Sequence, residues 1–198
     1  MTLLTLAAAT GLTAVFLVPQ IVRVLRTRDV SGLSTTWAAF GLVTNVAWVI
    51  YLGTKGLWVA ALAPMLAVIT YGCVLGALAR WSFDRSWLAA GAVYTALLVW
   101  LGLVGGIESL GMALVLAPVV QLAPAIVAAY RTRCPTGISP ATWSLSIAEA
   151  SMWGWYGWLI GDPALLGYGV VTGLGSLLVL AREPVSRPRL RPAFTLLP

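Results

Sequence analysis

A carboxylate in the middle of an apolar run is the residue of this sequence with most to explain. Glu149 lies in SLSIAEASMWGWYG, and no lysine or arginine is close to it in the chain. Such a group is costly in an apolar segment unless it faces a cavity, pairs with a partner or takes up a proton. Proton carriage is one reading of Glu149. The other is a carboxyl held neutral by Ser146 or Ser151, or wetted in a vestibule without titrating. A second group of residues offers binding rather than reaction. Asn45 and Trp48 stand one helical turn apart in NVAWVIYLG and share a face, Tyr51 follows, and Trp153 and Tyr156 repeat the Trp-Tyr spacing. An indole face gives a solute contact area and a polar edge at low entropy cost. Trp48, Trp153, Asn45, Tyr51 and Tyr156 are therefore the candidate solute-binding residues. Both tryptophans also lie toward segment ends, where interfacial belts collect them, and that reading stays open; Trp155 and Trp158 read as belt residues outright. The Asn45 carboxamide serves either a solute or a neighbouring helix.

Little else here supports reactive chemistry. The chain has no histidine, and Cys73 and Cys134 lie far apart, so neither a disulfide framework nor a metal site is expected. No nucleophile with a base and no phosphate-binding loop stands out. The expectation is a protein that is not an enzyme and needs no cofactor.

The elements that must position these residues follow from composition. Apolar residues make up 60% and charged residues 9% of the 198, against roughly 45–50% and 25% in soluble domains. A lipid bilayer is the implied surrounding. Seven apolar runs of membrane-spanning length are predicted, at 3–23, 34–53, 58–79, 87–105, 109–130, 142–160 and 164–181. The N-terminus lacks a basic region and a cleavage site, so its first run is expected to remain as a helix.

The runs contain a repeat. PQIVRVLRTRDVSGLSTTW is echoed by PAIVAAYRTRCPTGISPATW, so that Pro19 falls on Pro124, at an offset of 105 residues, and Arg26, Gly32, Ser34, Trp48 and Tyr51 fall on Arg131, Gly137, Ser139, Trp153 and Tyr156. A fixed-period match means that one unit was doubled. Runs one to three and five to seven are the two copies. The fourth restores the orientation that a unit of three crossings would otherwise invert, so the copies are parallel. The predicted fold is an all-α membrane protein of seven transmembrane helices, in a 3+1+3 arrangement. Its parts are a first triple-helix bundle at 1–85, a linker helix at 86–106, a second bundle at 107–181 and a basic, proline-rich tail at 182–198.

Charge sets the orientation. Eleven arginines fall in the loops after runs one, three and five and in the tail, against Lys55 alone on the other side. The positive-inside rule then puts the N-terminus outside and the C-terminus in the cytoplasm. The net charge of +6 is thus read as topology, with the tail touching anionic headgroups, and not as a nucleic-acid surface. Pro19 and Pro124 remove backbone hydrogen bonds and bend their helices at matched places. They are either paired hinges or packing devices. Gln20 is placed to bond the carbonyl that Pro19 frees. Ser34 and Ser139 are expected to cap the following helices, with Gly32 and Gly137 making the turns.

Pro-Gln, a basic turn, Ser-Gly-Leu-Ser and Asn-Val-Ala-Trp-Val-Ile-Tyr resemble the PQ-loop superfamily, and most nearly its SWEET and SemiSWEET branch of sugar transporters. The resemblance covers nearly the whole chain. It implies hinges at Pro19, Gln20 and Pro124, a central cavity flanked by Trp48 and Trp153, and facilitative movement of a sugar across the cell membrane by alternating access. The chain departs from that pattern in two ways. No asparagine stands near Pro64 or Tyr168, in the third run of either copy, and the second copy has Ala125 for Gln20 and Ala150 for Asn45. Two further functions are carried forward: a proton-coupled transporter of an amino acid or related metabolite using Glu149, and a non-transporting receptor or scaffold. Partners are a small-molecule solute and the bilayer, with assembly into a homo-oligomer left open.

Overall fold

The computed structural model describes residues 1–82 and 85–186. All regular structure among them is helical. The helices are α1 (Thr2–Val15), α2 (Val18–Thr27), α3 (Thr35–Thr54), α4 (Trp58–Trp81), α5 (Ser86–Arg131), α6 (Pro140–Ile160) and α7 (Pro163–Ser186). Five helical stretches are long and apolar enough to cross a membrane: Thr2–Thr27, Thr35–Thr54, Trp58–Trp81, Ser86–Arg131 and Pro163–Arg182. Helix α6 is long enough by its 21 residues, at about 1.5 Å each. Its hydropathy is lowered by Thr142, Ser144, Ser146, Glu149 and Ser151.

Two local breaks have identifiable causes. Pro19 stands at the start of α2, and α1 ends at Val15, the residue whose carbonyl the proline ring would strike. Pro124 makes no such break and lies inside α5, so the matched prolines differ in their local effect. Within α5 the helical torsions fail once, at Gly106, with φ 69° and ψ −166°. That region is open essentially to glycine alone. It divides 46 residues, which as one rod would measure about 70 Å, into two arms of roughly membrane length.

The helix caps follow the sequence. Ser34 Oγ accepts from Trp37 N at 3.2 Å and Ser139 Oγ from Thr142 N at 3.4 Å. Gly32 takes the left-handed conformation, φ 76°, that its turn needs. Gly137 does not: it is required by proximity, because a Cβ there would lie 2.6 Å from the Ser31 carbonyl oxygen.

Contacts between helices close a ring that runs α1, α4, α3, α5, α7, α6 and back to α1, with α2 against α4 and α6. The first arm of α5 lies along α3, where Thr44 Oγ1 and Tyr94 Oη meet at 3.0 Å. Small residues set the closest approach, that of α6 and α7: a Cβ on Gly169 would fall 2.4 Å from Gly154 Cα. Two buried clusters fill the ring. One gathers around Trp48, Tyr51, Trp153 and Tyr156; the other lies around Trp37, Tyr71 and Trp143, toward the arginine-bearing turns. The proline-rich tail falls largely at 187–198, outside the described residues.

Candidate functional site

Helices α1, α3, α4, α6 and α7 converge on a chamber lined by Thr13, Asn45, Trp48, Pro64, Glu149, Trp153 and Tyr168. Its volume is ≈ 30 Å³, about the share of one water in the liquid.

Glu149 is 2% exposed and forms the polar wall. Its Oε1 lies 2.9 Å from Thr13 Oγ1 of α1, and Tyr168 Oη of α7 donates to the carboxyl at 3.0 and 3.2 Å. Trp153 Nε1 in turn donates to Thr13 Oγ1 at 2.9 Å. The partners anticipated for Glu149 are engaged elsewhere. Ser146 pairs with Ser176 at 2.9 Å, and Ser151 bonds back to the Ile147 carbonyl at 2.8 Å. Ser151 is exposed on another face of α6, and Ser146, though one turn before Glu149 on its buried face, is spent on α7; Thr13 and Tyr168 reach the carboxyl from α1 and α7.

Of the five candidate binding residues the chamber brings together three. Trp48 and Trp153 are 5% and 4% exposed and face inward, while Trp155 and Trp158 stack on each other at 4.8 Å and are exposed. Asn45 lines the chamber, and its Nδ2 donates to the Gly41 carbonyl at 2.8 Å, within its own helix, so its Oδ1 is the carboxamide atom with no partner given by that bond. Tyr51 and Tyr156 lie one turn further out, each edge-on to its tryptophan at 5.6 and 5.8 Å. Tyr51 Oη donates to Asp162 Oδ2 at 3.0 Å, while Asp162 Oδ1 accepts from Leu165 N at the start of α7. Asp162 is thus a cross-link between the two copies. Lys55 and Glu108 form a second one at 2.9 Å.

Further contacts stand on the arginine-bearing side of the chamber. Trp37 and Trp143 touch at 5.5 Å beneath Tyr168, with Gln121 Nε2 donating to Tyr71 Oη at 2.7 Å. Below them the two matched turns dock on each other. Gln20 is fully buried; its Nε2 donates to the Gly137 carbonyl and its Oε1 accepts from Ser139 N, both at 3.0 Å. This corrects the expectation that Gln20 serves the carbonyl freed by Pro19: the side chain reaches the other copy instead. Arg23 donates to the Thr136 carbonyl, Thr136 Oγ1 donates to Asp29 Oδ2 at 2.7 Å, and Gly137 N donates to the Ser31 carbonyl at 3.1 Å. Partial burial alone would raise the Asp29 carboxyl. The hydrogen bonds from Thr136 and Ser31 and the Arg23 charge outweigh it and hold the group below its ordinary 3.8.

Residues 4–60, which span α1 to α3 and the first residues of α4, match the family model described as PQ loop repeat. That stretch carries a PQ-loop repeat. Among curated proteins none matches the chain. The matched stretch supplies Thr13, Asn45 and Trp48 to the chamber, and the segment that echoes it in sequence supplies Glu149, Trp153 and Tyr168. Five helical stretches of spanning length and hydropathy mark the chain as an integral membrane protein. Sequence reasoning missed Thr13, Tyr168 and Gln121. Each is a single polar residue in an apolar run, and its counterpart 105 residues away, Pro118, Ala63 or Phe16, shares no polar role.

Proposed function

We propose that this protein carries a small polar solute across the membrane by alternating access, through the chamber between its two copies. One observation carries the reading: on each side of the chamber stand contacts that join one copy to the other. Tyr51 with Asp162 and Lys55 with Glu108 lie on one side, and Gln20 with Gly137 and Ser139 on the other. Bonds that cross between copies can break on one side while those on the other persist, and that is the requirement for exposing a site to each face in turn.

In this reading the chain crosses the bilayer seven times as 3+1+3. Two crossings meet at Gly106, and α6 serves as a crossing because its Ser146 and Glu149 are buried within the protein. The N-terminus lies outside the cell and the arginine-bearing turns lie in the cytoplasm. Pro19 and Pro124 are the points at which the copies bend, and Trp48, Trp153 and Asn45 are the solute contacts. A sugar moving by uniport is what the SWEET resemblance implies. A proton-coupled carrier of an amino acid or related metabolite is favoured by Glu149, a buried carboxyl on the chamber wall whose hydrogen-bond partners are neutral.

Purified protein in liposomes, offered labelled sugars and amino acids with and without an imposed pH gradient, tests the reading. Saturable uptake that responds to the gradient supports the coupled carrier, and uptake indifferent to it supports uniport. Binding with no flux of any solute overturns transport.

A further inference from the structure

The hydrogen-bonding capacity that the chamber leaves unused is nearly all of one kind. Thr13 Oγ1 has one hydrogen, which it directs to Glu149 at 2.9 Å or to the Ala9 carbonyl at 3.0 Å, and it already accepts from Trp153 Nε1. Tyr168 Oη is committed to Glu149, and Asn45 Nδ2 to Gly41. Among the described residues one donor on the chamber wall lacks a partner, Trp48 Nε1. What remains open to a ligand is acceptor capacity: Asn45 Oδ1 and the Glu149 carboxyl. Ammonium and guanidinium groups carry donors only. The rest of the wall is aliphatic, from Leu52, Ala63, Pro64 and Leu165, and aromatic, from Trp48, Trp153 and Tyr168, rings of a kind that attract a cation. A sugar would need donors and acceptors in similar number.

The charges around Glu149 agree. Helix α1 presents Thr13 to it, and α7 presents Tyr168. Tyr71 of α4 lies within electrostatic reach, a neutral hydroxyl that accepts from Gln121. Arg23 of α2 is turned away onto Thr136. Among the described residues no cation pairs with the carboxylate.

We infer that the chamber takes a small organic cation, a primary ammonium or a guanidinium, with Glu149 as its counter-charge and with release of one proton from Glu149 as the cation enters. The inference rests on the reading of the chamber as a solute site. In this scheme Glu149 is protonated while the chamber is empty, and the acceptor capacity counted above is that of its ionised form. When one face opens, the cation displaces that proton to water, and the charge of the site is unchanged. The proton rebinds when the cation leaves, so one cation exchanges for one proton without net charge movement.

The test uses the full chain in liposomes carrying an internal pH dye, offered guanidinium and agmatine as cations and glucose and alanine as solutes without net charge. The expected result is saturable cation uptake matched by proton movement in the opposite sense. Glu149→Gln should lower both by about 100-fold or more, the consequence of removing one member of a buried charge pair. Glu149→Asp, which retains the charge, should preserve the preference for cations and guards against a folding defect in the first variant. Uptake of glucose or alanine with no uptake of either cation overturns the inference and leaves transport standing. Equal cation uptake by wild type and Glu149→Gln, both monodisperse in detergent, also overturns it. Should nothing move, transport itself fails, and guanidinium titrated against tryptophan fluorescence in detergent decides the site: the absence of a saturable, acid-sensitive change overturns the inference.

Discussion

Gln20 and Gly137 stand 117 positions apart in the chain and 3.0 Å apart in space, joined by a hydrogen bond from the carboxamide to the carbonyl. The same side chain holds Ser139 N, so one residue of the first copy fastens the turn of the second. Both bonds are buried, and removing the side chain leaves a carbonyl and an amide without partners. Each such group costs about 1–3 kcal/mol. Gln20→Ala should therefore loosen the docked turns. The measurement is maleimide labelling of Ile138→Cys, at a position now buried, in a background without Cys73 and Cys134. Faster labelling from the arginine-bearing side is expected, and an unchanged rate would mean that the clamp does not hold that side shut.

The same docking surface carries a pH dependence of known sign. Asp29 is held below 3.8 in the folded chain. A carboxyl of depressed pKa stabilises the fold above its unfolded pKa, and that contribution is lost as the pH falls through the folded value. The turns should stay docked near neutrality and loosen below about pH 4. Asp29→Asn should flatten the response. Labelling of Ile138→Cys across that range reads it directly.

Trp48 and Trp153 face the chamber from opposite copies, which makes them separable from the stacked, exposed pair Trp155 and Trp158. Trp48→Ala or Trp153→Ala should abolish flux while protein remains in the membrane. Truncating a buried tryptophan costs about 3–5 kcal/mol, so flux must be normalised to monodisperse protein. Trp155→Ala should leave flux nearly intact. Unchanged flux in both chamber variants would remove them from the solute path.

Close helix approach predicts a contrast between two glycines. Gly169→Ala would drive a methyl group to within 2.4 Å of Gly154 Cα, whereas a Cβ at Gly72 of α4 meets nothing within 4 Å. The first substitution should lower stability by about 1–3 kcal/mol. The second should be neutral or raise it slightly, by the helix propensity of alanine. Thermal unfolding in detergent compares the two.

The repeat made part of this arrangement legible. Pro19 announced a break, and α1 ends four residues before it. The matched Gly-x-Ser turns announced helix starts, and both serines cap. The apolar runs located the helices to within a few residues, and the run ending at 105 stops beside the break at Gly106. The partners across the ring were not legible. Thr13 meets Glu149 only because α1 packs on α6, and Tyr51 meets Asp162 only because the end of α3 reaches the turn between α6 and α7; no periodicity within a helix encodes such neighbours. Gln20 misled for a related reason. Its nearest unsatisfied carbonyl in sequence was an obvious partner, but a buried carboxamide with one donor and one acceptor to place found both in the facing turn.

The interruption at Gly106 gives the long α5 segment a mechanical character of its own. Two rods meet there with no intervening coil, so any tilt of one against the other must be taken up by the torsions of a single residue that has no side chain to resist it. The first rod is tied to α3 by Tyr94, and the second stands next to α7. A rocking second copy would thus drag on its neighbour through a point joint, not a slack tether, and lengthening that joint by even a few residues would decouple the strokes of the two halves.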